Sequence, residues 1–537
     1  MNRLVKFHFI LALLLVVALP SFAERIMLPM ADGTQLATDV YLPKEPGQYP
    51  VIFARTPYNI DGMKSTAEGF VKEGYVAVMQ DTRGSHNSKG TYIAFNGDGW
   101  GEHQDGLVTL RWIRAQEWSN GKVTTLGASA LGITQVRLAG AGDPLTCQFI
   151  QVAASKDYGQ MSYQGGVLRK ALIEGWLTAQ QAPHMIEMTK QHPSYDSYWK
   201  EKNAEAQAAM ISAPAMHIGG WFDIFGQGTI NNFTTRQYGG GGNSKGNQKL
   251  IMGPWAHGIS QKVGELTFPD NYTFKYTNLR NRFFDYWNKD GQNGVMEDAP
   301  VNYYTMGDVD DPEAPGNEWR TAQDWPPFPT EETAYYLLKD KGLSTEINST
   351  KNSSVGYLYD PSDPVPTHGG ANLLLPAGSF DQRKQDARDD VLTFMTPVLK
   401  EAVEVTGAIR LKLYVSSSAI DTDFTAKLLD VYPDGRQMLI TDGIQRVKFR
   451  NGFEQADLLP PGAIGELDID LWNTSLIYNK GHRIAVQISS SNYPRFEINP
   501  NTGDDFPDGV ELVKAENTLH FGSQHPSALI LPIPTKQ

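Results

Sequence analysis

The sequence predicts a parallel α/β sheet followed by an all-β domain. Three observations point there. Over roughly the first 145 residues, short apolar strand signals alternate with helical ones. A serine, Ser129, sits between small residues where a β-branched run reverses into a helix-compatible segment. Beyond about residue 330 the pattern contains only short alternating stretches separated by turns.

The α/β part opens with a hairpin over 25–42. Ile26, Leu28 and Met30 alternate, Asp32-Gly33 turns, and Leu36, Thr38, Val40 and Leu42 alternate again. The runs 50–55 and 75–80 read as buried strands, 102–117 as a helix and 122–126 as a strand. After Asp143-Pro144 the texture changes. Residues 158–210 are rich in helix formers and punctuated by aromatics and methionines, which predicts a helical cap inserted in the α/β domain. Strand signals return at 215–218, at 249–252 and at 300–306, with a helix over 277–288. The Pro-, Asp- and Glu-dense stretch 308–332 reads as a linker. The alternating stretches at 410–415, 424–431, 465–471 and 483–489 then predict a β-sandwich or jelly roll. The resulting division is 24–145 with 210–325 for the α/β domain, 146–209 for the cap and 330–537 for the β domain.

At 537 residues the chain is too long for one core. Its acidic balance and lack of a basic run exclude a nucleic-acid partner. The first 23 residues read as an export signal: Arg3 and Lys6, an apolar stretch from Phe9 to Leu19, and Ser21-Phe22-Ala23 with small residues at -3 and -1 of a cleavage site. The stretch is short for a membrane span, although an uncleaved anchor is the alternative. Loss of Arg3 and Lys6 with this leader takes the net charge from -13 to -15. The expectation is a periplasmic or secreted protein without stable membrane insertion. The lone Cys147 allows no intramolecular disulfide and, in its apolar context, reads as a buried structural residue.

The reversal at Gly127-Ala128-Ser129 is the kind of turn on which α/β-hydrolases mount a nucleophile, though the second glycine, Gly132, comes one residue late for the strict spacing. Side chains at Gly127 or Gly132 would clash with the neighbouring strand and helix. A serine nucleophile needs a base and an orienting acid, in this fold class following in the order acid then histidine at strand ends. Asp223, in Gly219-Gly220-Trp221-Phe222-Asp223, and His257, in Gly253-Pro254-Trp255-Ala256-His257, meet that requirement. The backbone N–H of Ala130 and the phenol of Tyr58 are candidate oxyanion donors. Trp221, Trp255 and Arg169 are candidate substrate-binding residues, Arg169 as the partner of a glutaryl-like carboxylate.

Taken together, Arg55-Thr56-Pro57-Tyr58, Gln80-Asp81-Thr82-Arg83-Gly84-Ser85, Trp118 to Val123, Gly127-Ala128-Ser129, Gly220 to Asp223 and Gly253 to His257 resemble the cocaine esterase, glutaryl-acylase and X-Pro dipeptidyl-peptidase group of α/β-hydrolases. Asp421 to Phe424, Asp430 to Gly435 and Tyr493 to Gly503 extend the resemblance into the β domain. It implies a hydrolase domain, a helical cap and a jelly roll closing the active site, with Ser129 as nucleophile, Asp223 as orienting acid, His257 as base, and Tyr58 with the Ala130 N–H as the oxyanion hole. One position departs: the family has a tyrosine after the serine where this chain has Ala130. A backbone donor survives that change, but the wall of the acyl site should widen or lose polarity.

The expected substrates are small esters or amides, with no metal or organic cofactor implied. Two alternatives remain, an X-Pro dipeptidyl-peptidase-like exopeptidase and a non-catalytic carbohydrate- or ligand-binding protein. Asp157, beside Lys156, is one acid next to a lysine, which disfavours a substrate with a free amino terminus. Intact mass of the exported protein tests the leader: a chain starting at Glu24 is expected, and a mass retaining residues 1–23 contradicts it.

Overall fold

A computed structural model describes residues 23–347 and 349–535. The predicted export signal lies outside the described residues apart from Ala23. Among the described residues no helix is long and apolar enough to cross a membrane.

Ten strands form the first sheet: Ala23–Pro29 (β1), Gln35–Tyr41 (β2), Tyr49–Thr56 (β3), Val76–Asp81 (β4), Ser119–Ala128 (β5), Cys147–Gln151 (β6), Ala215–Gly220 (β7), Gln248–Gly253 (β8), Val301–Thr305 (β9) and Glu318–Ala322 (β10). Their spatial order is β1-β2-β4-β3-β5-β6-β7-β8-β9-β10. The strands from β4 to β9 run parallel, while β1, β2 and β10 pair antiparallel at the two edges. A parallel sheet must be covered on both faces, so its strands read as continuous apolar runs. Val51 and Phe53 of β3 pack with Leu107, Leu110 and Leu138 on one face. Ile52 and Ala54 pack with Phe70, Phe283 and Phe284 on the other.

Two sequence boundaries shift. The cap was expected from 146, yet Cys147–Gln151 is a central strand between β5 and β7. Its five residues begin three positions after Pro144 and are too few to show a period. The expected linker 308–332 contains β10, whose Trp319 packs on Trp255, Phe274 and Tyr304. The density of Pro, Asp and Glu around it hides that strand.

The cap holds helices Lys170–Ala179 and Pro183–Lys190, shorter helical turns, and a small hairpin, Tyr163–Gln164 with Val167–Leu168. The β domain has two antiparallel sheets. One is built on the long strands Val403–Ser417 and Gly465–Tyr478; the other contains Leu392–Met395, Arg483–Ser489, Asp423–Val431 and Gln437–Arg446. Leu411, Leu413 and Ile469 face Phe424, Leu428 and Val486 across the interior. The same apolar cluster runs on into Trp221, Met252 and Tyr304 of the α/β domain, so the two domains share a core.

The cap hairpin is seated on the β domain at Gly165. There φ is 55°, the Gly165 carbonyl accepts from the Arg446 N–H at 2.9 Å, and an added Cβ would lie 1.7 Å from the Ile444 carbonyl oxygen. Gly165→Ala should therefore lower stability by about 2 kcal/mol or more, through backbone strain and a clash that rigid β-sheet cannot relieve. Gly69→Ala, in open space on the helix Lys64–Lys72, should raise it by about 0.5–1 kcal/mol. Thermal or denaturant unfolding reads both, and equal effects would contradict the seating.

Candidate active site

Ser129 stands between β5 and the helix Ala130–Gly140 with φ 57° and ψ -122°, a strained conformation for a residue with a side chain. Several contacts hold it there. Its N–H donates to the Gln151 carbonyl at 3.0 Å, and its carbonyl accepts from the N–H groups of Gly132 and Ile133. Close packing requires the flanking glycines. A Cβ on Gly127 would lie 2.3 Å from Leu131 Cβ, and one on Gly132 would lie 2.7 Å from Ala153 Cβ. The late second glycine thus fills the role of close helix-to-strand contact despite its displaced spacing.

Asp223 and His257 leave the carboxyl ends of the adjacent strands β7 and β8, and their loops are hydrogen-bonded to each other. Trp221 N–H donates to Gly253 O and Phe222 N–H to Trp255 O, both at 2.9 Å. This pairing requires Gly220, where an added Cβ would lie 2.2 Å from the Trp255 carbonyl oxygen. The outcome is a linear arrangement. His257 Nε2 is 2.8 Å from Ser129 Oγ, and His257 Nδ1 is 2.6 Å from Asp223 Oδ1. Asp223 is fully buried and the His257 side chain is 14% exposed. The Phe225 ring packs edge-on against the imidazole at 5.6 Å. Such a chain can hold the imidazole with one nitrogen facing the hydroxyl, ready to take its proton.

Two groups beside Ser129 are candidate oxyanion donors. Ala130 is the first residue of its helix, so its N–H is one of the donors that a helix N-terminus leaves without an intrahelical acceptor. Tyr58 sits on the loop after β3, and its oxygen accepts from Trp176 Nε1 at 2.9 Å. An oxygen already accepting from Trp176 leaves its own proton to be donated elsewhere. Burial of the hydroxyl end raises the phenol above its ordinary range, while its hydrogen bonds with Trp176 and Ser129 act in the other direction. Trp176 belongs to the cap and stacks on Phe95 at 5.5 Å. The separation of 118 positions between Tyr58 and Trp176 explains why no spacing in the sequence links them.

A mostly apolar cavity opens at Ser129. Ala130, Ile133, Ile224 and Phe225 line its catalytic end, and Met161, Leu172, Trp176 and Tyr198 are among those lining its cap end. With Ala130 after the serine, only a methyl group stands at that part of the wall.

The three candidate substrate-binding residues lie elsewhere. Trp221 is buried against Trp325 and donates from Nε1 to the Tyr304 carbonyl at 2.7 Å. Trp255 covers Gly253 and packs on Trp319. Trp221 is taken up by the core shared with the β domain, and Trp255 by the α/β domain's own core with Phe283 and Phe284. Arg169 is buried rather than presented to a substrate. Its Nη1 donates to the Gln160 and Ile224 carbonyls, and its guanidinium lies 5.5 Å from the Trp472 ring centre. Burial pushes it down to about 9. It ties the cap, the Asp223 loop and the β domain together. Cys147 is buried beside Thr124, and burial pushes its thiol up to about 12, far from the range of a reactive thiolate.

The model of the X-Pro dipeptidyl-peptidase (S15) family matches residues 32–184 and 176–259, and that of the X-Pro dipeptidyl-peptidase C-terminal non-catalytic domain matches residues 293–530. The chain is 33% identical to the cocaine esterase of Rhodococcus sp. (strain MB1 Bresler), across 96% of this chain and 98% of that protein. Among solved structures, an aminopeptidase from a marine sediment archaeon (Thaumarchaeota archaeon) superimposes with a TM-score of 0.82 at 24% identity, over 96% of this chain and 97% of the other. An α-amino acid ester hydrolase does so with a TM-score of 0.80 at 24% identity, over 95% and 96%. These two share the fold. With the relatedness to cocaine esterase running nearly end to end, the chain belongs to the cocaine esterase and X-Pro dipeptidyl-peptidase family of α/β-hydrolases and is a serine hydrolase.

Proposed function

We propose that this hydrolase is an exported esterase or acylase for small acyl substrates, working through Ser129, His257 and Asp223. The observation that supports it most is the imidazole of His257 bridging Ser129 Oγ at 2.8 Å and buried Asp223 at 2.6 Å. In this reading Ser129 Oγ attacks the acyl carbonyl as His257 Nε2 takes its proton. The carbonyl oxygen then develops negative charge between the Ala130 N–H and the Tyr58 hydroxyl. His257 returns the proton to the leaving group, and water, activated by the same imidazole, hydrolyses the acyl-enzyme. Asp223 orients the ring and offsets the imidazolium charge.

The cavity favours ester or acyl substrates over an X-Pro peptide. A dipeptidyl-peptidase must hold the ammonium of a free amino terminus, which calls for an available carboxylate near the acyl site. Asp157 is the one carboxylate lining the cavity, and it is taken by Arg137 at 2.7 Å, both buried. The apolar lining suits an aliphatic or aromatic acyl group. The name of the esterase relative supports ester cleavage as the first activity to test. The leader read in residues 1–23 supports action outside the cytoplasm. The intact set of Ser129, His257 and Asp223 argues against a purely ligand-binding role.

Ser129→Ala should lower kcat by about 10³-fold or more on p-nitrophenyl acetate or butyrate. Retained turnover by that variant would refute the nucleophile. Tyr58→Phe should lower kcat by about 10²-fold with little change in KM, since its hydroxyl acts on charge present only in the transition state. A change confined to KM would instead make Tyr58 part of the binding wall. Glutaryl-p-nitroanilide and Gly-Pro-p-nitroanilide in the same panel separate acylase and peptidase from esterase.

A further inference from the structure

A second, much smaller cavity adjoins the one at Ser129, and two buried guanidiniums line it. Its walls include Arg169, Leu172, Ile224, Ala371, Leu373 and Arg495. Leu172, Ile224 and Leu373 also line the Ser129 cavity, so their apolar side chains stand between the two, while Arg169 and Arg495 border only the smaller one. The space is about 10 Å³, room for one small occupant. Arg169 is 1% and Arg495 3% exposed. Nε of Arg169, and Nε and Nη2 of Arg495, are buried donors to which the described residues offer no acceptor. Leaving a buried donor unmade is costly, and more so on a charged group.

The charge around this cavity is unbalanced as well. Arg495 is paired, its Nη1 donating to both Asp442 oxygens. Arg169 has no such partner. Its Nη1 donates to the Gln160 and Ile224 carbonyls, and among the described residues no carboxylate comes within ion-pair distance of it. The carboxylates whose charge it feels, Asp223 and Asp442, are engaged by His257 and Arg495, and the charge of Arg495 opposes its own. A third buried cation, Lys427, feels both Asp442 and Arg495 and donates to Gln382 Oε1 rather than to a carboxylate. The helix Lys170–Ala179 begins at the same place, with Ala171 and Leu172 in the wall, and its first turn adds partial positive charge. Buried charges are normally offset, because desolvating a lone ion is costly. The counter-charge that this cavity lacks is an anion.

We propose that this cavity binds one small inorganic anion, of the size and charge of chloride, held by the unpartnered N–H groups of Arg169 and Arg495. The space is too small for phosphate or sulfate, and Leu172, Ile224 and Leu373 separate it from the acyl cavity. Water could accept the same N–H bonds but would offset none of the charge, whereas an anion makes them charge-assisted. The site is distinct from acyl transfer at Ser129 and does not depend on it. Its place gives the ion a structural task. Arg169 joins the cap at Gln160, the loop residue after Asp223 at Ile224, and the β domain at Trp472. An anion that fixes the guanidinium fixes those three attachments together. Because the cavity exists only in the folded chain, the ion adds stability in proportion to its occupancy.

Bromide stands in for chloride and can be located by its anomalous scattering. Crystals grown with sodium bromide, measured at the bromine absorption edge, should show an anomalous peak between the Arg169 and Arg495 guanidiniums. In solution, exchanging sodium gluconate for sodium chloride at constant ionic strength should raise Tm by about 1 °C or more. Arg169→Met would also remove the bonds to Gln160 and Ile224, so the variant for comparison is Ala371→Leu, which fills the cavity and leaves both guanidiniums in place. It should fold, give no anomalous peak in the cavity and lose the chloride effect. Because the readout is the difference between two salts on the same protein, a general change in stability does not imitate it. A water in place of the bromide, bromide confined to the surface, or an equal salt difference in the wild-type protein and Ala371→Leu would overturn the proposal.

Discussion

The chemistry of this protein depends on the hydrogen bonding of four neighbouring parallel strands at their carboxyl ends. β5, β6, β7 and β8 lie side by side, and their ladders fix where three loops emerge. Ser129 is tied to the end of β6 through Gln151, and the loops bearing Asp223 and His257 are tied to each other through Gly253 and Trp255. Backbone bonds of this kind cannot rotate away as side chains do. They hold the serine in a conformation that costs about 1–3 kcal/mol by itself, and they hold the imidazole between two oxygens at once. The glycines at 127, 132 and 220 are consequences of that geometry, since each stands where a Cβ would enter a neighbouring strand, helix or loop.

The cap and β domain act on this frame from two directions. The cap supplies Trp176, which occupies the Tyr58 oxygen and so leaves the phenol proton free to be donated. The β domain holds the cap in place through Gly165 and through Arg169, whose guanidinium reaches the cap, the Asp223 loop and Trp472. The buried Arg446–Asp423 pair beside the hairpin, bidentate at 2.9 and 3.0 Å, gives that seat a fixed orientation.

Much of this arrangement was legible in the sequence because it is local. The reversal at Ser129, and the glycine-tryptophan loops before Asp223 and His257, each lie within a few residues of a recognisable strand end. The strands themselves showed as apolar runs because both faces of the sheet are covered. What stayed hidden depends on contacts between distant segments. Arg169 carries a charge, and nothing near it in the chain announces that three separate elements bury it. Trp221 and Trp255 stand beside the key loops, yet the core shared with the β domain takes up the first ring and the α/β domain's own core the second. β6 and β10 were missed because five residues beside proline or amid acids show no clear period.

The most direct test of the central claim is covalent labelling with an alkyl p-nitrophenyl phosphonate, which mimics the tetrahedral intermediate and traps an activated serine. Peptide mass mapping should place a single adduct on Ser129, formed rapidly in the wild-type protein and far more slowly in His257→Ala. An adduct on another residue, or labelling of Ser129 at the same rate without His257, would contradict the account.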